Sequence, residues 1–252
     1  MAQTTNRPGA DAPVVNRTPD PRSPWPVQFY GSAVGKKWVM AITGLAMYGF
    51  LFAHMIGNLK LYIPKEEGRY ALDVYGEALR KLLYPIMPEG VILWILRIGL
   101  ILMLVGHVHA AITLTQMNRR SRPMSYQAPR EYVAANFASR SMRITGIIIF
   151  GYIFFHLFDL TISGTGARWV EGEVHNNLIN SLQRPWVAII YIIANLAVAV
   201  HLYHGTWSMF QTMGINNPRW NGARRTIALG MSVVVGVPNL LFPLMIVTRV
   251  VK

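Results

Sequence analysis

Five stretches of the chain are apolar for long enough to cross a bilayer, and charged residues collect between them. A hydrocarbon core of about 30 Å needs about 20 apolar residues in a helix. Residues 38–59, 185–213 and 226–248 contain no charged side chain, 91–117 contain only Arg97, and 144–167 contain only Asp159. In lipid every backbone N–H and C=O must be satisfied within its own segment, so each stretch is predicted to be a helix and not a strand. Pro238 and Pro243 fall inside the fifth stretch and predict kinks there. The expected fold class is an all-α membrane protein, a five-transmembrane-helix bundle filling residues 32–252.

The stretches outside the spans read differently. Residues 1–31 form an expected flexible tail rich in proline, without the apolar core of about 7–15 residues that a signal peptide needs. Between the first two spans, Leu72, Tyr75, Leu79, Leu82 and Leu83 recur at helical spacing. They predict a short amphipathic helix over 70–83 lying on the membrane surface. No internal repeat is apparent at this level.

Composition agrees with the spans. Only 14% of the 252 residues are charged, against about a quarter in soluble domains. The net charge of +13 would suggest nucleic acid in a soluble protein, but its distribution points elsewhere. Fourteen basic residues and three acidic ones lie on the side of the N-terminus, against nine basic and seven acidic on the other side. The positive-inside rule then predicts a cytoplasmic N-terminus in the cell membrane, a C-terminus outside, and no nucleic-acid partner. The chain has no cysteine, so it cannot hold an iron–sulfur cluster by its own thiolates.

Six of the seven histidines lie inside spans: His54, His107, His109, His156, His201 and His204. Ionisable groups in lipid are costly and commonly mark function. At 1.5 Å per residue, His54 and His156 lie about 25 Å and about 20 Å from the basic end of their helices. His107 and His201 both lie about 18 Å from that end. The depths pair His54 with His156 at an outer level and His107 with His201 at an inner one. Two imidazoles facing each other across a bundle are what bis-histidine haem ligation requires, so one or two haem b groups are expected. His109 and His204 leave an alternative open. They could form a second inner pair and donate to a mixed His/Cys iron–sulfur cluster whose thiolates come from a partner subunit.

At this point several motifs resemble a known family. They are Ser32-Ala-Val-Gly-Lys36-Lys37, Met40-Ala-Ile-Thr43-Gly44, and His54-Met-Ile-Gly57-Asn58. Others are His107 with Asn118-Arg-Arg120, Arg140-Ser-Met-Arg143-Ile-Thr145-Gly146 leading to His156, and His201-Leu-Tyr-His204-Gly205-Thr-Trp207-Ser208. Together they resemble the single-chain cytochrome b membrane anchor of succinate dehydrogenase and fumarate reductase, over residues 32 to about 218. The resemblance implies an anchor that docks a flavoprotein subunit and an iron–sulfur subunit and passes electrons from succinate to a membrane quinone. It also implies that His54, His107, His156 and His201 ligate haem. His109 stands beside the expected ligand, where that pattern has no need of it.

Other residues are candidates for supporting roles. Arg97 and Asp159, near the outer ends of their helices, are expected either to form an ion pair or to act separately. In the second case Arg97 would bind a haem propionate or quinone and Asp159 would relay protons. Ser32, Lys36 and Lys37 sit at the inner interface, as topological anchors or as contacts to quinone, propionate or partner. Trp207 could wall a quinone pocket or belong to the aromatic belt. His175 is expected to be solvated in an outer loop. Competing readings are the cytochrome b anchor of another dehydrogenase, a bare structural anchor, and a non-redox proton or solute transporter. No inverted repeat or pair of broken helices supports the transporter.

Overall fold

The structure is a computed structural model that describes residues 23–65, 67–121, 137–215 and 217–251, without the side chains of 137–140. Eight α-helices run along the described chain. They are α1 (Trp25–Gly31), α2 (Ala33–Asn58), α3 (Ala71–Arg80), α4 (Val91–Arg120), α5 (Phe137–Leu160), α6 (Val174–Leu182), α7 (Pro185–Thr212) and α8 (Asn221–Val247). Five of them, α2, α4, α5, α7 and α8, are long and apolar enough to span a membrane. No strand occurs among the described residues. Connections alternate, so the basic segments before α2, after α4 and between α7 and α8 share one end of the bundle, called here the basic end.

Packing is selective. α8 lies closely along α7, α4 along α2, and α5 along α7, while α2 touches α7 and α8. The pairs α2 with α5 and α4 with α7 stand apart, without comparable packing. The α7–α8 seam shows why a proline-containing helix is tolerated. Pro243 has no N–H for the carbonyl of Asn239, and Asn195 Nδ2 on α7 donates to that oxygen at 2.9 Å. Nearby, Ser232 Oγ donates to Ala199 O at 2.7 Å, and a Cβ at Gly236 would fall 2.8 Å from that of Ala199. A small residue at 236 therefore sets how closely the two helices approach. The outward faces carry large exposed apolar side chains such as Leu102, Val105, Ile147 and Phe154, as a lipid-facing surface does.

Three boundaries differ from the sequence reading. Residues 1–22 of the expected tail lie outside the described residues, but Trp25–Gly31 is helical. Gly35 is essential to how α1 meets α2, since a Cβ there would sit 1.8 Å from the Phe29 carbonyl oxygen. The third span was expected to reach residue 167 but ends at Leu160. Ser163 takes a positive φ of 56°, and the Gly164 N–H bonds back to Phe158 O at 2.8 Å, closing the helix in a turn that spans residues 158–164. Finally, the loop before the fourth span contains α6, which packs against α3 across the end opposite the basic one. Leu72 is buried there with Leu61, Ile179 and Leu182, whereas Leu82 and Leu83 are exposed beyond the end of α3.

Candidate redox site

His107 and His201 hang from α4 and α7 at the same distance from the helix starts, and their ring centroids are 6.5 Å apart. His54 on α2 and His156 on α5 meet at 6.0 Å. These are the two pairs that helix depth predicts. Each joins helices that do not otherwise pack together, so the imidazoles project into the spaces α2/α5 and α4/α7 leave open. Two imidazoles binding one metal ion from opposite sides, through bonds of about 2.0–2.1 Å, hold their ring centres about 6 Å apart. Both pairs fit that requirement.

The orientations of the His107 and His201 rings are fixed through Nδ1. Thr43 Oγ1 donates to Val39 O at 2.6 Å and stands 3.1 Å from His107 Nδ1. Thr145 Oγ1 donates to Ser141 O at 3.0 Å and stands 3.2 Å from His201 Nδ1. With its one proton committed to the backbone, each hydroxyl is left to accept from the imidazole. Nδ1 therefore carries the proton and Nε2 is the free nitrogen, the arrangement of a metal-ligating histidine and its outer partner. The adjacent glycines make room for the rings. A Cβ at Gly44 would lie 3.4 Å from His107 Cε1, and one at Gly146 would lie 3.5 Å from His201 Cε1.

This geometry exposes an internal repeat that inspection of the sequence missed. Met40-Ala-Ile-Thr43-Gly44 on α2 and Met142-Arg-Ile-Thr145-Gly146 on α5 play the same part towards the next long helix. Continuing the register matches Tyr48-Gly49-Phe50 with Phe150-Gly151-Tyr152, Phe52 with Phe154, and His54 with His156. The pairs α2/α4 and α5/α7 are thus two equivalent helical hairpins. The shared signal is a spaced pattern, Met-x-Ile-Thr-Gly with His eleven residues after the Thr, legible only once the contacts pick out which positions matter.

The opposite end of the bundle holds a polar cluster. Asp159 is 2% exposed, and its carboxylate accepts from Tyr191 Oη at 3.0 Å, Arg184 Nη2 at 2.9 Å, Thr165 and Ser181. Tyr191 Oη also stands 3.2 Å from His156 Nδ1. Asp159 pairs with Arg184, so the expected alternative of an Arg97–Asp159 ion pair is not the arrangement found. Arg97 is exposed, with its guanidinium 5.1 Å from the Trp94 ring centre. Arg184 and Tyr191 escaped sequence reasoning because a span-edge arginine and a membrane tyrosine are both ordinary on their own.

The remaining candidates divide into separate clusters at the basic end. Ser32 caps α2, accepting from the Gly35 N–H at 2.9 Å, and Lys36 is buried with Nζ donating to Tyr30 O at 2.7 Å. Tyr30 in turn hydrogen-bonds and stacks on His109. Lys37 is exposed. Trp207 faces the guanidinium groups of Arg224 and Arg225, at 4.6 Å and 5.3 Å. His204 is buried with its ring against Tyr203, so His109 and His204 have different neighbours and make no ring contact with each other. Arg122 and Arg130 lie outside the described residues, as does the Arg140 side chain. His175, expected to be solvated, is 3% exposed and lies face to face with Tyr70, ring centres 3.5 Å apart. Its N–H donates to Asp73 Oδ1 at 2.8 Å, joining α6 to α3.

No curated protein and no solved structure matches the chain. A family model described as the succinate dehydrogenase/fumarate reductase transmembrane subunit matches residues 134–237. That interval holds α5, α6, α7 and most of α8, with His156 and His201, and leaves out α2 and α4 with His54 and His107. The match agrees with the resemblance read in the sequence: over its last three spans the chain is similar to the succinate dehydrogenase/fumarate reductase transmembrane subunit.

Proposed function

We propose that the chain anchors a succinate:quinone oxidoreductase in the cell membrane, basic end cytoplasmic, and carries electrons from a docked iron–sulfur subunit to a membrane quinone. A flavoprotein subunit would complete the complex. The observation that carries this reading is the pair of facing imidazoles at 6.0 Å and 6.5 Å, set between helices that stand apart. His54 and His156 would hold one haem b, His107 and His201 the other. When bound, haem b would supply one-electron transfer, with its protein ligands and their hydrogen bonds setting its potential.

The protein's own residues supply orientation and exclusion. Thr43 and Thr145 hold His107 and His201 by Nδ1 and leave Nε2 to the metal. Gly44 and Gly146 keep the ring edges uncrowded. The apolar outer faces of the helices keep water from both levels. Quinone would approach from lipid to the basic end, where Ser32, Lys36, Lys37 and Trp207 are candidates for its contacts, with Arg97 the alternative at the far end. An iron–sulfur partner would dock on the same basic end, and that proximity favours the basic-end site. The mixed His/Cys cluster draws less support, since Tyr30 engages His109 and Tyr203 neighbours His204.

The test is a reduced-minus-oxidised spectrum of the purified complex, with haem counted per chain. Two b-type components are expected, His54→Ala and His156→Ala deleting one and His107→Ala and His201→Ala the other. Unaltered spectra in all four variants would refute the assignment.

A further inference from the structure

The polar cluster beyond His156 is not part of the repeated scaffold. Aligning His54 with His156 places Gly57 opposite Asp159, and aligning His107 with His201 places Arg97 opposite Tyr191. In the first hairpin Gly57 gives space to the Tyr75 ring, where a Cβ would fall 2.6 Å from Cε1. Arg97 turns outward over Trp94. The ring contacts of His54 are Phe50, at 5.4 Å, and His156 itself. Only the second hairpin builds a fully hydrogen-bonded carboxylate behind its histidine.

We propose that Tyr191 and Asp159 are positioning residues that fix His156 through Nδ1 and lower the reduction potential of the centre it ligates. The proposal rests on the haem-ligand reading above. Tyr191 Oη donates to Asp159 Oδ2, so its oxygen accepts from His156 Nδ1–H, and the chain runs N–H to O–H to carboxylate. Such a chain raises the basicity of the nitrogen bound to the metal and favours the more positive, oxidised ion. His107 and His201 meet threonine hydroxyls whose proton goes to a backbone carbonyl, together with the backbone of Met40 and Met142, and no carboxylate bonds to those threonines among the described residues. Arg184, Thr165 and Ser181 hold the Asp159 carboxylate in place. The asymmetry between otherwise equivalent hairpins is what assigns this cluster to one centre.

The experiment is a redox titration of the b components in the intact complex, comparing wild type with Tyr191→Phe, Asp159→Asn and His156→Ala. Tyr191→Phe, which removes only the hydroxyl, should leave the component that His156→Ala deletes present and titratable, though less tightly held. It should shift the component that His156→Ala deletes about tenfold towards the reduced form, a rise of about 59 mV for one electron. Asp159→Asn should shift it in the same direction, and the other component should not move in either variant. If His156→Ala deletes a component whose potential Tyr191→Phe leaves unchanged, this proposal alone falls. If His156→Ala deletes no component, the haem assignment falls and takes the proposal with it.

Discussion

Thr43 on α2 and His107 on α4 are joined side chain to side chain, Oγ1 to Nδ1 at 3.1 Å, and this one contact is repeated by Thr145 and His201 in the second hairpin. It links helix packing to the proposed haem site, because the same threonine that back-bonds to its own helix also aims the neighbouring imidazole. Disturbing either copy should therefore affect a single shared centre.

Thr43→Val and Thr145→Val, close in shape to the original, each remove an acceptor. Each should cost about 1 kcal/mol of stability and weaken haem retention at the His107–His201 level by about 10–100-fold. Haem content after detergent washing measures this, and the His54–His156 component should survive both changes.

Glycine replacements test the same level sterically. Gly44→Ala and Gly146→Ala put a Cβ at 3.4 Å and 3.5 Å from a ring carbon, which the ring accommodates with little movement. Gly44→Leu and Gly146→Leu should displace the imidazoles and delete the same spectral component from opposite sides of the site. Retention of that component in both leucine variants would show that the rings are not confined there.

The two membrane arginines should behave oppositely. Arg184 neutralises a carboxylate with no exposed side-chain surface, so Arg184→Ala leaves a buried charge short of its partner. Losing one member of such a pair costs about 3–5 kcal/mol. Arg97, exposed and packed over Trp94, should cost less than about 0.5 kcal/mol on replacement by Ala. Thermal unfolding of the complex in detergent distinguishes them, and equal losses would mean Arg97 has a buried partner in the assembly.

The cap formed by α3 and α6 should loosen in acid. Burial pushes the His175 imidazole below its ordinary value, Lys65 pushes in the same direction, and Asn176 and Asp73 oppose them. The unfolded segment then takes up its proton first, near the ordinary pKa of about 6.5. The His175 contribution is complete above that pH and is lost as pH falls below it towards the lower folded value. Hydrogen exchange of the His175 amide, bonded to Asp73, should accelerate below about pH 6.5 relative to α7 amides. His175→Gln should remove the pH dependence.

A reporter fused after Lys252 tests orientation. Fourteen basic residues against nine, with an odd number of spans, predict a C-terminus outside the cytoplasm. A reporter active only in the cytoplasm would reverse the bundle and move the docking face to α3 and α6.

The amino-acid sequence by itself determined the five spans, because twenty apolar residues have few alternatives to a membrane helix and charges must fall between them. Depth along those helices also determined which histidines share a level, since the helical rise is fixed and His54, His107, His156 and His201 can be measured from the basic end. Tertiary structure decided everything that depends on the azimuth of a side chain and on what lies across a gap. It turned Asp159 to Arg184 and Tyr191, away from Arg97, because the helix stops at Leu160 and the following turn brings α6 and the start of α7 over the carboxylate. It buried His175 by folding two amphipathic segments against each other, where each alone reads as a surface loop or surface helix. It separated His109 from His204, since residues two apart on a helix face opposite ways and α1 reached His109 first. And it exposed the duplicated hairpin, because a Thr–His contact between helices is a relation in space that no single stretch of sequence contains.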